Sequence, residues 1–220
     1  MVDLYGRKPA VKAAETIFNL LYLLTVFTCA AILLTGGKGA VSRLYGLCAL
    51  VLASGDSIHI FPRLTAMWDG KRNYSRALGI GKQVASVTMT LFYAGIWAAC
   101  VIVYDFSGAL TVATSVAVAV LSAMRIVLCV MPQNAWTRGG CAKSWAVYRN
   151  LPFFLLGAIV AAGYAVGAFV HGVLGGVWIM IALSFAFYIP VVLFSAKKPA
   201  WGMLMLPKCC AYAAMIIMFL

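Results

Sequence analysis

Long apolar runs alternate along the chain with short polar segments, and most of the runs have the length that crosses a bilayer. About 20 predominantly apolar residues are needed for a helix to span the hydrocarbon core. Residues 16–37 and 83–104 carry no charge, and 44–62 carries only Asp56, with His59 beside it. The run 106–131 contains Arg125, and the last run, 199–220, contains Lys208. From 150 to 196 there is no charged residue, which is too long for one crossing. The glycine-rich stretch between His171 and Gly176 divides it, because glycine accepts the positive φ that a tight turn requires. The pattern predicts an all-α polytopic membrane protein, a seven-transmembrane-helix bundle. Its spans fall near 16–37, 44–62, 83–104, 108–131, 150–170, 177–196 and 199–220. The connecting segments are short, so residues 1–220 read as a single transmembrane domain.

Composition narrows the class further. Of 220 residues 65% are hydrophobic and 10% charged, with a mean hydropathy of +1.00, whereas soluble domains average about 25% charged. A soluble enzyme, a nucleic-acid-binding domain and a disordered chain are excluded, because so few charges could not cover so much apolar surface. The net charge of +12 therefore carries topological information. With seven spans, one side holds Arg7, Lys8, Lys12, Arg63, Lys71, Arg72, Arg76, Lys82, Arg138, Lys143, Arg149, Lys197 and Lys198. The other side holds Lys38 and Arg43. The positive-inside rule then predicts a cytoplasmic N-terminus, an external C-terminus and a multi-pass protein of the cell membrane. The first residues lack the features of a cleaved signal, so the first span is expected to be retained. None of the seven cysteines has metal-ribbon or redox spacing, and six lie in spans, so they read as packing residues. No metal and no cofactor is implied.

Ionisable groups within a span are costly and mark function by default. The topology places Asp56 about 9 Å from the inner end at Pro62, Arg125 about 10 Å deep and Lys208 about 14 Å deep. His59 follows Asp56 at i+3, on the same face. Neutral polar residues show the same bias toward the inner half. Gln83, Ser86 and Thr90 share a face of the third span, Glu15 and Asn19 begin the first, and Asn150 begins the fifth. Ser184 and Tyr188 share a face of the sixth. The expected result is a polar cavity open to the cytoplasm and closed outside by apolar packing. Its cations exceed its acids by one; Glu15 would balance this if it points inward, and otherwise a bound anion such as a lipid phosphate or carboxylate would relieve it. A retinal Schiff base at Lys208 would need a close carboxylate, and the third span has none before Asp105.

The segment ending Gly55-Asp56-Ser-Ile-His-Ile-Phe-Pro62-Arg63 resembles the Gly-Asp segment of the lysoplasmalogenase family of membrane proteins. The resemblance covers residues 44–63 and carries over to Gly55 and Asp56, with Pro62 and Arg63 as context. It implies an intramembrane hydrolase acting on a vinyl-ether lysophospholipid, with the aspartate in acid–base work. The family's second functional aspartate has no counterpart here beyond Asp105, and the family typically has one more span.

The leading expectation is therefore an intramembrane enzyme acting on a membrane lipid or a small anionic amphiphile. Asp56 and His59 would be catalytic. Arg125, Lys208, Gln83, Ser86, Thr90, Asn19 and Tyr188 would bind substrate. The alternatives are a small-molecule or ion-coupled transporter using the same charges, and a structural membrane subunit. No nucleic-acid partner is expected, and the sequence is silent on oligomeric state.

Overall fold

The computed structural model describes residues 8–37, 39–69, 73–137, 143–195 and 199–220, and the statements below concern those. Arg7, Lys38, Lys71, Arg72, Arg138, Cys141, Lys197 and Lys198 lie outside the described residues. The helices are α1 (Pro9–Thr35), α2 (Ala40–Asp69), α3 (Ser75–Val103), α4 (Ala109–Val130), α5 (Lys143–His171), α6 (Gly175–Phe194) and α7 (Met205–Ile217). Short 3-10 turns cover Pro132–Asn134 and Pro199–Leu204, the second leading directly into α7. All seven are long and apolar enough to cross a membrane, the last counted with its 3-10 lead-in. The chain is thus an all-helical, multi-pass membrane protein.

Each helix packs on the next, and α7 returns to α1 to close the ring. Helix α3 also contacts α5, which places it nearest the centre. Leu20, Leu21 and Leu24 of α1, Val112, Val116 and Val120 of α4, and Phe169 and Val170 of α5 face outward. In water that surface would be an interaction or aggregation site; in a bilayer it is the lipid face. Helix α6 is apolar all round and buries only Val177, Ile181 and Ser184 among its described side chains.

The helices outrun the apolar segments at one end. α1 begins at Pro9, α3 at Ser75 and α5 at Lys143, and α2 continues through Pro62 to Asp69. The expected end of the second span at Pro62 is therefore corrected. Proline removes one backbone donor but does not forbid a helix whose freed carbonyl is accommodated by a neighbour. Here the freed carbonyl is that of Ile58, and it lies against Gly81 of α3, where a Cβ would approach it to 2.6 Å. Farther along, Gly55 packs on Thr88 and Gly95 on Cys48. Small residues let these two backbones approach closely, as helix association in lipid requires.

The two ends differ in chemistry. Basic residues gather at the end carrying the start of α1 and the end of α2, where Trp68 Nε1 donates to Thr16 Oγ1 at 3.0 Å. The 3-10 turn after α4 is held there by Asn134, whose amide donates to the carbonyls of Leu128 and Met131 at 2.6 and 2.8 Å. The far end is aromatic. Tyr45 stacks on Phe219, Tyr164 meets both Phe219 and Tyr104, and Tyr104 stacks on His171. The α5–α6 turn falls where the glycines predicted it, with Gly172 at φ +71° and Leu174 at +55°.

Candidate anion site at mid-height

Asp56 lies thirteen residues before the end of α2, about 20 Å along the axis. Tyr22 lies thirteen residues after the start of α1, hence at the same height. Its hydroxyl donates to Asp56 Oδ2 at 2.6 Å, in the buried core. Because α2 extends past Pro62, Asp56 sits near the middle of the helix and of the bundle. Charged hydrogen bonds this short are roughly twice as strong as neutral ones, and this one fixes the carboxylate toward the interior.

Lys208 of α7 faces the same space and is 3% exposed. Its hydrogen-bond contact is with the Met89 thioether at 3.7 Å, a weak acceptor for an ammonium with three donors. The ring of Tyr212 lies 4.4 Å from Nζ and that of Tyr188 5.1 Å. Asp56 is an electrostatic neighbour of Lys208, but the two are not in salt-bridge contact among the described residues.

Arg125 of α4 is 1% exposed. Its Nε donates to Thr90 Oγ1 at 2.9 Å, and one Nη donates to Asn150 Oδ1 at 3.1 Å and to the Arg149 carbonyl at 3.3 Å. The guanidinium lies 3.8 Å over the ring of Phe153. Tyr188 joins the two cations: its hydroxyl donates to the same Asn150 oxygen at 2.9 Å, while its ring bounds Lys208. A connected layer thus runs from Tyr22 and Asp56 through Lys208, Tyr188 and Asn150 to Arg125 and Thr90. All seven helices contribute to it.

The charges in this layer do not cancel. Glu15 is committed elsewhere, ion-paired with Arg63 (2.6 Å) a few turns toward the basic end. Among the described residues, Asp56 is then the carboxylate available to two buried cations. Ser122 Oγ, one turn from Arg125 along α4, is buried with no hydrogen-bond partner among the described residues, so the layer has spare polar capacity. Such an arrangement can bind an anion, and its carboxylate can exchange a proton with it.

Of the residues singled out from sequence, Asp56, Arg125, Lys208, Thr90 and Tyr188 come together. His59 lies one turn toward the basic end, its Nδ1 buried without a partner and with Arg63, Lys82 and Lys208 as electrostatic neighbours. Asn19 donates to the Glu15 carbonyl and Ser86 to the Lys82 carbonyl, each within its own helix. Gln83 is half-buried nearer the basic end. Tyr22, Tyr212, Met89 and Phe153 were not anticipated as part of the layer. For Tyr22 a signal existed: it follows Asn19 at i+3 and Glu15 at i+7, on one helix face. Two cavities lie outside the layer, one of about 350 Å³ at the far end beside Gly36 and Phe219, the other of about 250 Å³ between α5 and α6, behind the Phe153 and Tyr188 rings. No cluster of three or more potential metal ligands occurs among the described residues. Comparison with protein-family models, curated proteins and solved structures gives no match.

Proposed function

We propose that the chain is an intramembrane enzyme that draws an anionic lipid or amphiphile into the mid-height layer and hydrolyses it from the cytoplasmic side. The observation carrying this reading is Lys208, buried beside Asp56 yet held mainly by a thioether and two aromatic faces. A buried ammonium so poorly supplied with acceptors is expensive unless an anion completes its shell. Arg125 and Lys208 would hold the head group or a developing oxyanion. Asp56, aligned by Tyr22, would exchange a proton with the reacting bond, and His59, one turn away, would pass it toward the basic end.

The resemblance of Gly55-Asp56 to lysoplasmalogenases supports a vinyl ether as the reacting group. In that case Asp56 takes up a proton as the substrate binds, and that carboxyl proton adds to the alkene carbon β to oxygen. Water adds to the resulting oxocarbenium carbon and returns a proton to Asp56. The hemiacetal then collapses to an aldehyde and the free hydroxyl of the lysolipid head. A panel of ester and vinyl-ether lysophospholipids, followed by mass spectrometry with the purified chain in nanodiscs, tests the reading. Asp56→Asn should abolish product while the protein remains folded. Retained turnover in that variant refutes it.

A transporter reading is favoured by one separate feature. The polar layer sits at mid-height, the level at which secondary transporters hold their substrates. It predicts anion flux in proteoliposomes with no product formed, and loss of that flux in Lys208→Met.

A further inference from the structure

The apolar cavity between α5 and α6 opens on the lipid face beside the charged layer. It is lined by Phe154, Gly157, Ala158 and Ala161 of α5 and by Ala182 and Phe185 of α6, among others. The Phe185 ring lies directly on Gly157, where a Cβ would overlap it. Along α6 the lining runs from Ile181 to Ile189, about 12 Å. The cavity's volume along that length is about 250 Å³.

The basic-end limit of this groove is an aromatic partition. Phe153 and Phe185 lie 5.1 Å apart, and Tyr188 meets Phe153 at 5.9 Å and Phe154 at 6.0 Å. On the inner side of the same rings, Phe153 carries the Arg125 guanidinium and Tyr188 faces the Lys208 ammonium. One layer of side chains therefore separates a lipid-facing apolar groove from two buried cations.

We propose that the groove holds the alkyl chain of a single-chain anionic amphiphile, whose head reaches Arg125 and Lys208 past Tyr188. The inference rests on the reading of the mid-height layer as an anion site and names both the substrate class and its way in. Charge complementarity selects the occupant. A neutral hydrocarbon satisfies the groove alone, a soluble anion satisfies the cations alone, and a single-chain anion satisfies both. Tyr188 is the movable element. Its hydroxyl is held by one side-chain bond to Asn150, so turning the ring away exchanges that bond for one to the incoming head and uncovers Lys208.

A diazirine-bearing dodecyl phosphate, photolysed with the full chain in phosphatidylcholine nanodiscs, tests this directly. Adducts should concentrate on residues 154–161 and 181–189, and unlabelled dodecyl phosphate should compete them away. Ala158→Leu and Ala182→Leu, both on the exposed rim, should each weaken dodecyl phosphate at least tenfold, as should Lys208→Met. Adducts spread evenly over the lipid-facing helices overturn the groove. If both leucine variants bind as wild type while Lys208→Met does not, the groove is refuted and the anion site stands. If Lys208→Met and Arg125→Met also bind as wild type, the anion site itself is refuted.

Discussion

Arg125 and Lys208 pose the residue-scale question of why a membrane protein keeps two buried cations for one carboxylate. If they serve the fold, removing them should weaken it; if they serve a ligand, the fold should tolerate or welcome their loss. Arg125→Met leaves no orphaned partner, since Thr90 Oγ1 still donates to the Ser86 carbonyl and Asn150 Oδ1 still accepts from Tyr188. The partners of Arg125 among the described residues are neutral, so its burial carries a desolvation cost that no ion pair repays. The expected outcome is a Tm unchanged or raised, with dodecyl phosphate binding lost; a clear fall in Tm would assign the arginine to structure. Asp56→Asn should act in the opposite sense, because it strips Lys208 of its negative neighbour. A loss on the order of 3 kcal/mol is expected, recovered in the Asp56→Asn/Lys208→Met double variant. Tyr22→Phe removes one charged hydrogen bond and should cost about 1.5–3 kcal/mol in denaturant titrations. The cations and Asp56 stood out in the sequence because a charge inside an apolar run is costly, whether it serves a ligand or an ion pair between helices. Tyr22 and Tyr212 were not, because a tyrosine in a span reads equally well as core, interface or ligand.

At the scale of the elements, one backbone-to-backbone contact between α2 and α3 falls where Pro62 frees the Ile58 carbonyl and Gly81 lies against it. The number of helices was readable from the apolar runs, since hydrocarbon thickness sets their length. Their ends were not. The helices continue as basic, amphipathic extensions beyond the hydrocarbon-length core, and Pro62 looked like a terminus because the sequence does not show which neighbour shelters the freed carbonyl. This geometry gives a local prediction. A Cβ at position 81 would lie 2.6 Å from the Ile58 oxygen and 2.8 Å from the His59 Cα, backbone atoms that cannot swing aside. Gly81→Ala should therefore cost about 1–3 kcal/mol. It should also reduce turnover, because it shifts α2 one turn from Asp56. Gly202→Ala, with nothing within 4 Å of its Cβ, is the matched control and should be neutral in both measurements.

For the whole molecule, the way the bundle sits in the membrane decides which solution the site can exchange with. Seven crossings put the basic end and the aromatic far end on opposite sides, and charge must choose between them. Of the described cations, Lys8, Lys12, Arg63, Arg76, Lys82 and Arg149 gather toward the basic end, and Arg43 alone marks the far end. Not all of them orient the chain equally. Arg63 is neutralised by Glu15, and Arg149 donates to Asn134 and lies over Trp136, so both serve packing. The remaining asymmetry still favours a cytoplasmic basic end, because basic residues near span ends resist translocation. Impermeant maleimide on intact cells can read this from two engineered thiols at exposed positions outside the long helices, Ser107→Cys at the far end and Thr137→Cys at the basic end. Ser107→Cys should label at once and Thr137→Cys only after permeabilisation. The reverse pattern would turn the basic end outward and move the proposed chemistry to the other side of the membrane, leaving the geometry of Asp56, Lys208 and Arg125 unchanged. Equal labelling of both before permeabilisation would instead break the odd span count on which the orientation rests.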